Sequence, residues 1–137
     1  MASWRYSRRS MSRLETCHEH LVRLMVEALA HPDCPSDISV IEGYRGRERQ
    51  NELKAAGKSQ LSYPNSKHNK RPKSLAVDVA PYVNGAISWE WEHFDPLAAH
   101  IKRVWAELLA AGRVSGSIHW GGDWRWRAGP HFEWHDE

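Results

Sequence analysis

Cysteine is scarce in this chain. Cys17 and Cys34 are the only two among 137 residues, and they are not spaced as CxxC. That excludes a disulfide framework and a zinc knuckle, and it fits reduced thiols made in the cytosol. Long apolar runs are missing as well: nothing approaches the roughly 18–20 residues that a membrane-spanning helix needs. The N-terminus lacks the apolar stretch of a secretory signal. Neither sign of charge dominates, with 19 Lys and Arg against 17 Asp and Glu. The basic excess sits early, in "RYSRRSMSR", and reads as an ordinary solvated terminus over residues 1–11. No nucleic-acid-binding motif accompanies it. Repeats, linkers and low-complexity blocks are absent too. Residues 1–137 therefore read as one domain, large enough to bury a core without disulfides or a structural metal.

Tryptophan, by contrast, is abundant. There are eight, and five of them (Trp105, Trp120, Trp124, Trp126 and Trp134) fall in the last third. Tryptophan builds cores, and it also lines grooves for extended or sugar-bearing ligands. Periodicity predicts a helix from Ser12 to Ala30, with Ser12 as N-cap and Glu15 as its capping-box partner. "ISVIEGY", residues 38–44, reads as a strand, and residues 47–57 as a helix closed by Gly57. A long polar loop follows, of the kind that is often functional in a small domain. Residues 75–83 read as a strand ended by Pro81 and the turn "NG". Residues 95–111 read as a helix capped by Asp95, with Pro96 at its first position. Two short strands around a glycine-bearing loop complete the chain. The class is α+β, with helices packed on a small antiparallel sheet.

Three residues have settings suited to holding a metal. His68 lies in the long loop "SKHNKRPKS". Asp78 interrupts the apolar strand "LAVDVA", where a carboxylate is costly unless paired, hydrogen-bonded or metal-bound. His131 lies in "PHFEW", the last expected strand. Spacing alone leaves the alternatives open: a strand aspartate can be exposed or salt-bridged, and most of the nine histidines must lie on the surface. His18, His20, His31, His93, His100 and His135 have no companion pattern and receive no role.

The stretches "IEGYRGRERQNELKAAGKS", "SKHN…AVDVAPY" and "WGGDW…PHFEW" occur in that order. Together they resemble the M15 family of zinc peptidases, and more narrowly the L-alanyl-D-glutamate endopeptidases that serve as phage endolysins. The wider family also contains D-alanyl-D-alanine carboxypeptidases and shares its fold with the Hedgehog signalling domain. The resemblance implies one zinc ion on His68, Asp78 and His131, with Ser66 supporting the site. It implies an Arg45 that contacts substrate or developing negative charge, and a structural Gln50. It assigns Trp120, Gly121, Gly122, Asp123 and Trp124 to the floor of the cleft. The expected substrate is the peptidoglycan stem peptide, cut at the L-Ala–D-Glu bond by a zinc-activated water. A monomer is expected, without stable membrane association or a nucleic-acid partner. It would accumulate in the host bacterial cytoplasm and reach the wall through a membrane pore.

Two departures from the family pattern matter. Nine residues separate His68 from Asp78, where many members have fewer, with a glycine among them. The excess reads as a loop insertion that need not move either ligand. The second departure concerns the general base, an acid in the family, placed three residues before the last histidine. Here that position is Ala128, and alanine cannot carry a proton. Three explanations stand: a deliberate replacement of the catalytic acid, a natural protein that binds without cleaving, or a substitute carboxylate at Glu133 or Asp123. We favour the first, because the rest of the motif is intact. Glu133 fits better as support for a ligand, since the family usually carries an acid at both positions.

Overall fold

The structure is a computed structural model and describes residues 4–137. Five strands form one antiparallel sheet: β1 (Asp37–Glu42), β2 (Ala76–Val83), β3 (Ala86–Ile87), β4 (Ser117–Trp120) and β5 (His131–His135). The order across the sheet is β1-β2-β5-β4, with β3 hairpinned onto β2. Four helices accompany it: α1 (Arg8–Leu14), α2 (Glu19–Ala30), α3 (Arg47–Ala55) and α4 (Trp91–Ala110). The apolar stripes of α2 and α4 bury Leu21, Leu24, Met25, Leu97, Ile101 and Val104 against Val77, Val79 and Phe132 of the sheet. Side chains alternate across a strand, so β2 and β5 turn Val77, Val79 and Phe132 to this core and Asp78 and His131 away from it. The α+β expectation therefore holds, with helices on the core face and polar chemistry on the other.

Several boundaries differ from the sequence expectation. The single helix from Ser12 to Ala30 is two helices. Ser7, not Ser12, caps α1, its hydroxyl accepting from Ser10 N at 3.0 Å. His18 caps α2 through Nδ1, which accepts from His20 N at 3.0 Å. Between them the backbone leaves the helix to pair with the long loop: His18 N donates to Ser74 O at 2.8 Å and Ser74 N to Thr16 O at 2.9 Å. Tertiary pairing here outcompetes helix continuation, a weak local preference. The basic run is consequently not a loose terminus from Arg8 onward. Arg8 and Arg9 stay exposed, but Ser10 and Leu14 are buried, and Tyr6 Oη donates to Met25 O at 2.6 Å. Residues 1–3 of that expectation lie outside the described residues.

The last helix starts earlier than Asp95. α4 begins at Trp91, so Pro96 lies inside it, not at its first position. Ser88 prepares the start, its hydroxyl accepting from Glu90 N at 3.2 Å and lying 2.6 Å from His93 Nδ1. The added turn buries Phe94, which packs against Trp89 and Trp91. Nor does Pro81 end β2. It pairs with Ile38 inside the strand. Val79 N donates across to Pro130 O, so the N–H positions of odd residues face β5, and β5 pairs with β2 only over residues 76–78. At residue 81 no donor is needed on that side. Asn84 (φ 52°) and Gly85 (φ 80°) then make a two-residue hairpin turn with both residues left-handed,.

Candidate metal centre

Strand register aims two of the three candidate ligands. Asp78 and His131 are direct ladder partners, and residues directly opposite share a face of the sheet. His68 arrives from a short 3₁₀ turn, Lys67–Asn69. Ser66 caps that turn, its hydroxyl accepting from His68 N at 3.2 Å while Ser66 N donates to Asn69 Oδ1 at 3.1 Å. The nine-residue spacing is accommodated outside the cluster. Lys70 to Lys73 form an exposed excursion, and Leu75 N donates to Lys67 O at 3.0 Å to close it. Asp78 Oδ1 ends 3.1 Å from His68 Nε2 and 3.2 Å from His131 Nδ1. The ligating atoms of the three residues all lie within 4.8 Å of one another.

The far side of each ring determines which nitrogen faces this point. His68 Nδ1 donates to Gly43 O at 2.7 Å, which leaves Nε2 with its lone pair. His131 Nε2 donates to Glu133 Oε1 at 2.8 Å, which leaves Nδ1. Two lone pairs and a carboxylate oxygen therefore converge, and such a set calls for a positive charge among them, a proton or a metal ion. Burial pushes the Asp78 pKa up, but His68 and His131 outweigh it and hold this carboxyl well below the usual range. Burial pushes His131 down, while its bonds to Asp78 and Glu133 raise it further, to about 9. Two imidazoles and one carboxylate beside a cleft make a donor set suited to zinc, with room left for a fourth ligand. Histidine orientation by a carbonyl and a carboxylate is the usual supporting arrangement at such centres.

Arg45 is part of the same unit. Its guanidinium donates to Glu42 Oε1 at 2.8 and 3.1 Å, to Gln50 Oε1 at 3.0 Å and to Asp78 Oδ2 at 3.4 Å. It holds the oxygen of Asp78 that the two histidines do not share. Glu42 reaches it because β1 bulges after Val40, so that Glu42, and not Ile41, pairs with Asp78,. Gln50 is fully buried and also donates to Ser59 Oγ at 2.9 Å and Leu61 O at 2.6 Å, so it ties α3 to the loop at the cleft rim.

The cleft at the cluster encloses about 430 Å³ and is lined by Arg45, Lys58, Trp124, Trp126 and Ala128, among others. The "WGGDW" segment only partly supplies it. Trp124 is on the wall, its ring 5.1 Å from that of His131. Trp120 is buried beneath, donating from Nε1 to Gly129 O at 2.7 Å, and Gly122 is a glycine because its Cβ would overlap the Trp120 ring. Asp123 is absent from the lining and pairs with Lys102 at 2.6 Å. Asp78 is the only carboxylate among the lining residues. Glu133 engages the far nitrogen of His131, and His135 Nε2 on its other oxygen at 2.6 Å. Ala128 presents a methyl group where the expected acid would stand. A larger groove, about 810 Å³ along α2, shares no residue with this cleft.

Sequence reasoning missed Glu42, Gly43, Asn69, Trp126 and His135. Only His135 left a visible trace, the alternation His131, Glu133, His135 on one face of a strand. The others depend on a bulge or on loop packing.

Known proteins give this arrangement a context. A peptidoglycan L-alanyl-D-glutamate endopeptidase, CwlK of Bacillus subtilis, is 29% identical over 71% of this chain and 60% of its own length. The chain thus spans well under two thirds of that relative. The L-alanyl-D-glutamate peptidase of Escherichia phage T5 is 27% identical over 98% of this chain and 89% of its own. The crystal structure of the Serratia marcescens L-Ala D-Glu endopeptidase ChiX superposes with a TM-score of 0.77 at 33% identity, covering 97% of this chain and 91% of that one. The family model of the phage L-alanyl-D-glutamate peptidases matches residues 2–136, and with this fold and cluster in place the chain belongs to that family.

Proposed function

We propose that this protein is a peptidoglycan hydrolase acting on the L-Ala–D-Glu bond of stem peptides, as its relatives' names describe for them. The observation that carries the reading is the His68–Asp78–His131 cluster at the base of an open cleft. Held there, a zinc ion would supply an acidified water and a polarised carbonyl. The chain's own groups do the rest. Arg45 and Glu42 lock Asp78, so the ligand does not swing when substrate enters. Arg45 is offset by Glu42 and Asp78, so Lys58 and Arg127 supply the positive charge of the cleft lining, which suits an acidic peptide. Trp124 and Trp126 offer flat apolar walls to an extended chain. What the cleft lacks is a free carboxylate to take the water's proton, so turnover is low in this chain and the defect lies at Ala128.

A second reading has one observation in its favour, the same alanine: a module that holds peptidoglycan without cutting it. Digestion of purified peptidoglycan separates the readings. New amino termini on D-Glu support endopeptidase action. Release of free D-Ala means carboxypeptidase action instead. Retention on the polymer with no new termini, in both this chain and Ala128→Asp, leaves the binding module. The phage origin of one relative supports a role as a phage lysin; we propose in addition that the protein is a monomer that waits in the host cytoplasm and reaches the wall through a membrane pore. Among the described residues no helix is long and apolar enough to cross a membrane.

A further inference from the structure

The polar face of the sheet continues beyond the three ligands. β5 places His131, Glu133 and His135 on this face by alternation. Across the ladder, Ser117 pairs with His135 and His119 with Glu133, so both residues of β4 share the face. On the opposite side Ala76 pairs with Glu133, and its methyl group leaves room for the carboxylate. Glu133 is gripped at both ends, by His131 Nε2 at 2.8 Å and His135 Nε2 at 2.6 Å. The His135 ring lies 4.0 Å from that of His119, whose Nε2 is 3.2 Å from Ser117 Oγ.

From this row we infer that His135 is a positioning residue for the metal centre. It fixes Glu133, and Glu133 fixes the ring of His131 so that Nδ1 faces Asp78 and His68. A carboxylate held by one partner can rotate about its last torsion, which is broad for glutamate. A second N–H donor on the other oxygen removes that freedom. His119 supplies a wall that keeps the His135 ring in place. The inference rests on the metal-centre reading, since it says how one ligand of that centre is aimed.

The test compares His135→Ala and His135→Gln with the parent chain. Glutamine keeps a side-chain N–H donor; alanine does not. Zinc affinity is read by competition with a chromophoric chelator, and folding by the melting temperature of metal-free protein. His135→Ala should weaken zinc binding about tenfold, in the range for supporting partners of metal-bound histidines, with an unchanged metal-free melting temperature. His135→Gln should recover most of the loss. Parent-like affinity in His135→Ala, or equal loss in both variants, overturns the inference. A proton NMR readout in metal-free protein does not depend on zinc. The His131 Nε2–H resonance, shifted downfield by its bond to Glu133, should move in His135→Ala and stay in His135→Gln; an unmoved resonance in His135→Ala likewise overturns it. If the parent binds no zinc, the metal-centre reading fails while this resonance still decides the role of His135.

Discussion

At the scale of single residues, the proposed chemistry turns on a methyl group. Ala128 lines the cleft, and no lining carboxylate other than Asp78 can accept a proton. Restoring one should restore turnover: Ala128→Asp is expected to raise peptidoglycan cleavage by about 10²–10⁴-fold, the span of general acid–base assistance, read as new D-Glu amino termini per minute. Formate at high concentration should partly replace the missing carboxylate in this chain and do nothing for Ala128→Asp; equal stimulation of both would place the defect elsewhere. Arg45 makes a different prediction. Its guanidinium binds Glu42, Gln50 and Asp78 together, a fork that lysine cannot reproduce. Arg45→Lys should weaken zinc binding and lower the melting temperature together, measured by chelator competition and thermal unfolding. The two buried cysteines belong to the background. Burial pushes the Cys17 thiol up to about 12 and raises Cys34 as well, and neither belongs to the candidate metal cluster.

Between residues and the whole lies the element, and here the break between α1 and α2 matters most. The chain turns at Thr16, whose hydroxyl donates to Arg13 O at 2.6 Å and accepts from Tyr44 N at 2.8 Å. That turn presses onto Gly43: a Cβ at Gly43 would overlap Thr16 Oγ1, Arg13 O and Cys17 Sγ. The carbonyl of Gly43 is the group that orients His68. The helix boundary at Thr16, far upstream in the chain, is thus coupled to the tautomer of a candidate ligand, His68. Gly43→Ala should cost about 1–3 kcal/mol through overpacking. It should also weaken zinc binding, because the backbone that aims His68 must move. Denaturant unfolding and chelator competition on one preparation would check both; a stability loss with unchanged affinity would sever the link.

For the molecule as a whole, acid sensitivity has a source outside the cleft. His100, on α4, is 1% exposed; Nε2 donates to Ala28 O at 2.9 Å and Nδ1 has no partner among the described residues. Burial lowers its pKa below the ordinary 6.5, aided by His31 and Arg103 and opposed by the Ala28 bond and Asp33. The unfolded chain therefore takes up this proton first as pH falls. The neutral ring's stability is intact above about pH 6.5 and drains away below it. In His100→Gln the loss of stability between pH 7 and pH 5 should be shallower than in the parent, by urea unfolding at each pH. Parallel curves would assign the acid sensitivity to other groups.

The sequence by itself determined the fold class, most of the elements and the three candidate ligands. Apolar periodicity is a local property of the chain, and an aspartate in an apolar strand needs a partner wherever it folds. It also exposed the alanine where a proton carrier is expected. Tertiary structure alone decided the rest. The break at Thr16 comes from pairing with Ser74, the bulge that turns Glu42 toward Arg45 comes from the β1–β2 register, and the burial of Trp120 beneath the loop comes from packing on Phe132. Each depends on residues far apart in the chain, whose contact energies exceed the few tenths of a kcal/mol that local propensity supplies. The row from His131 to His135 was written in the alternation of one strand, but only the ladder placed Asp78 beside it and showed which neighbours each side chain meets.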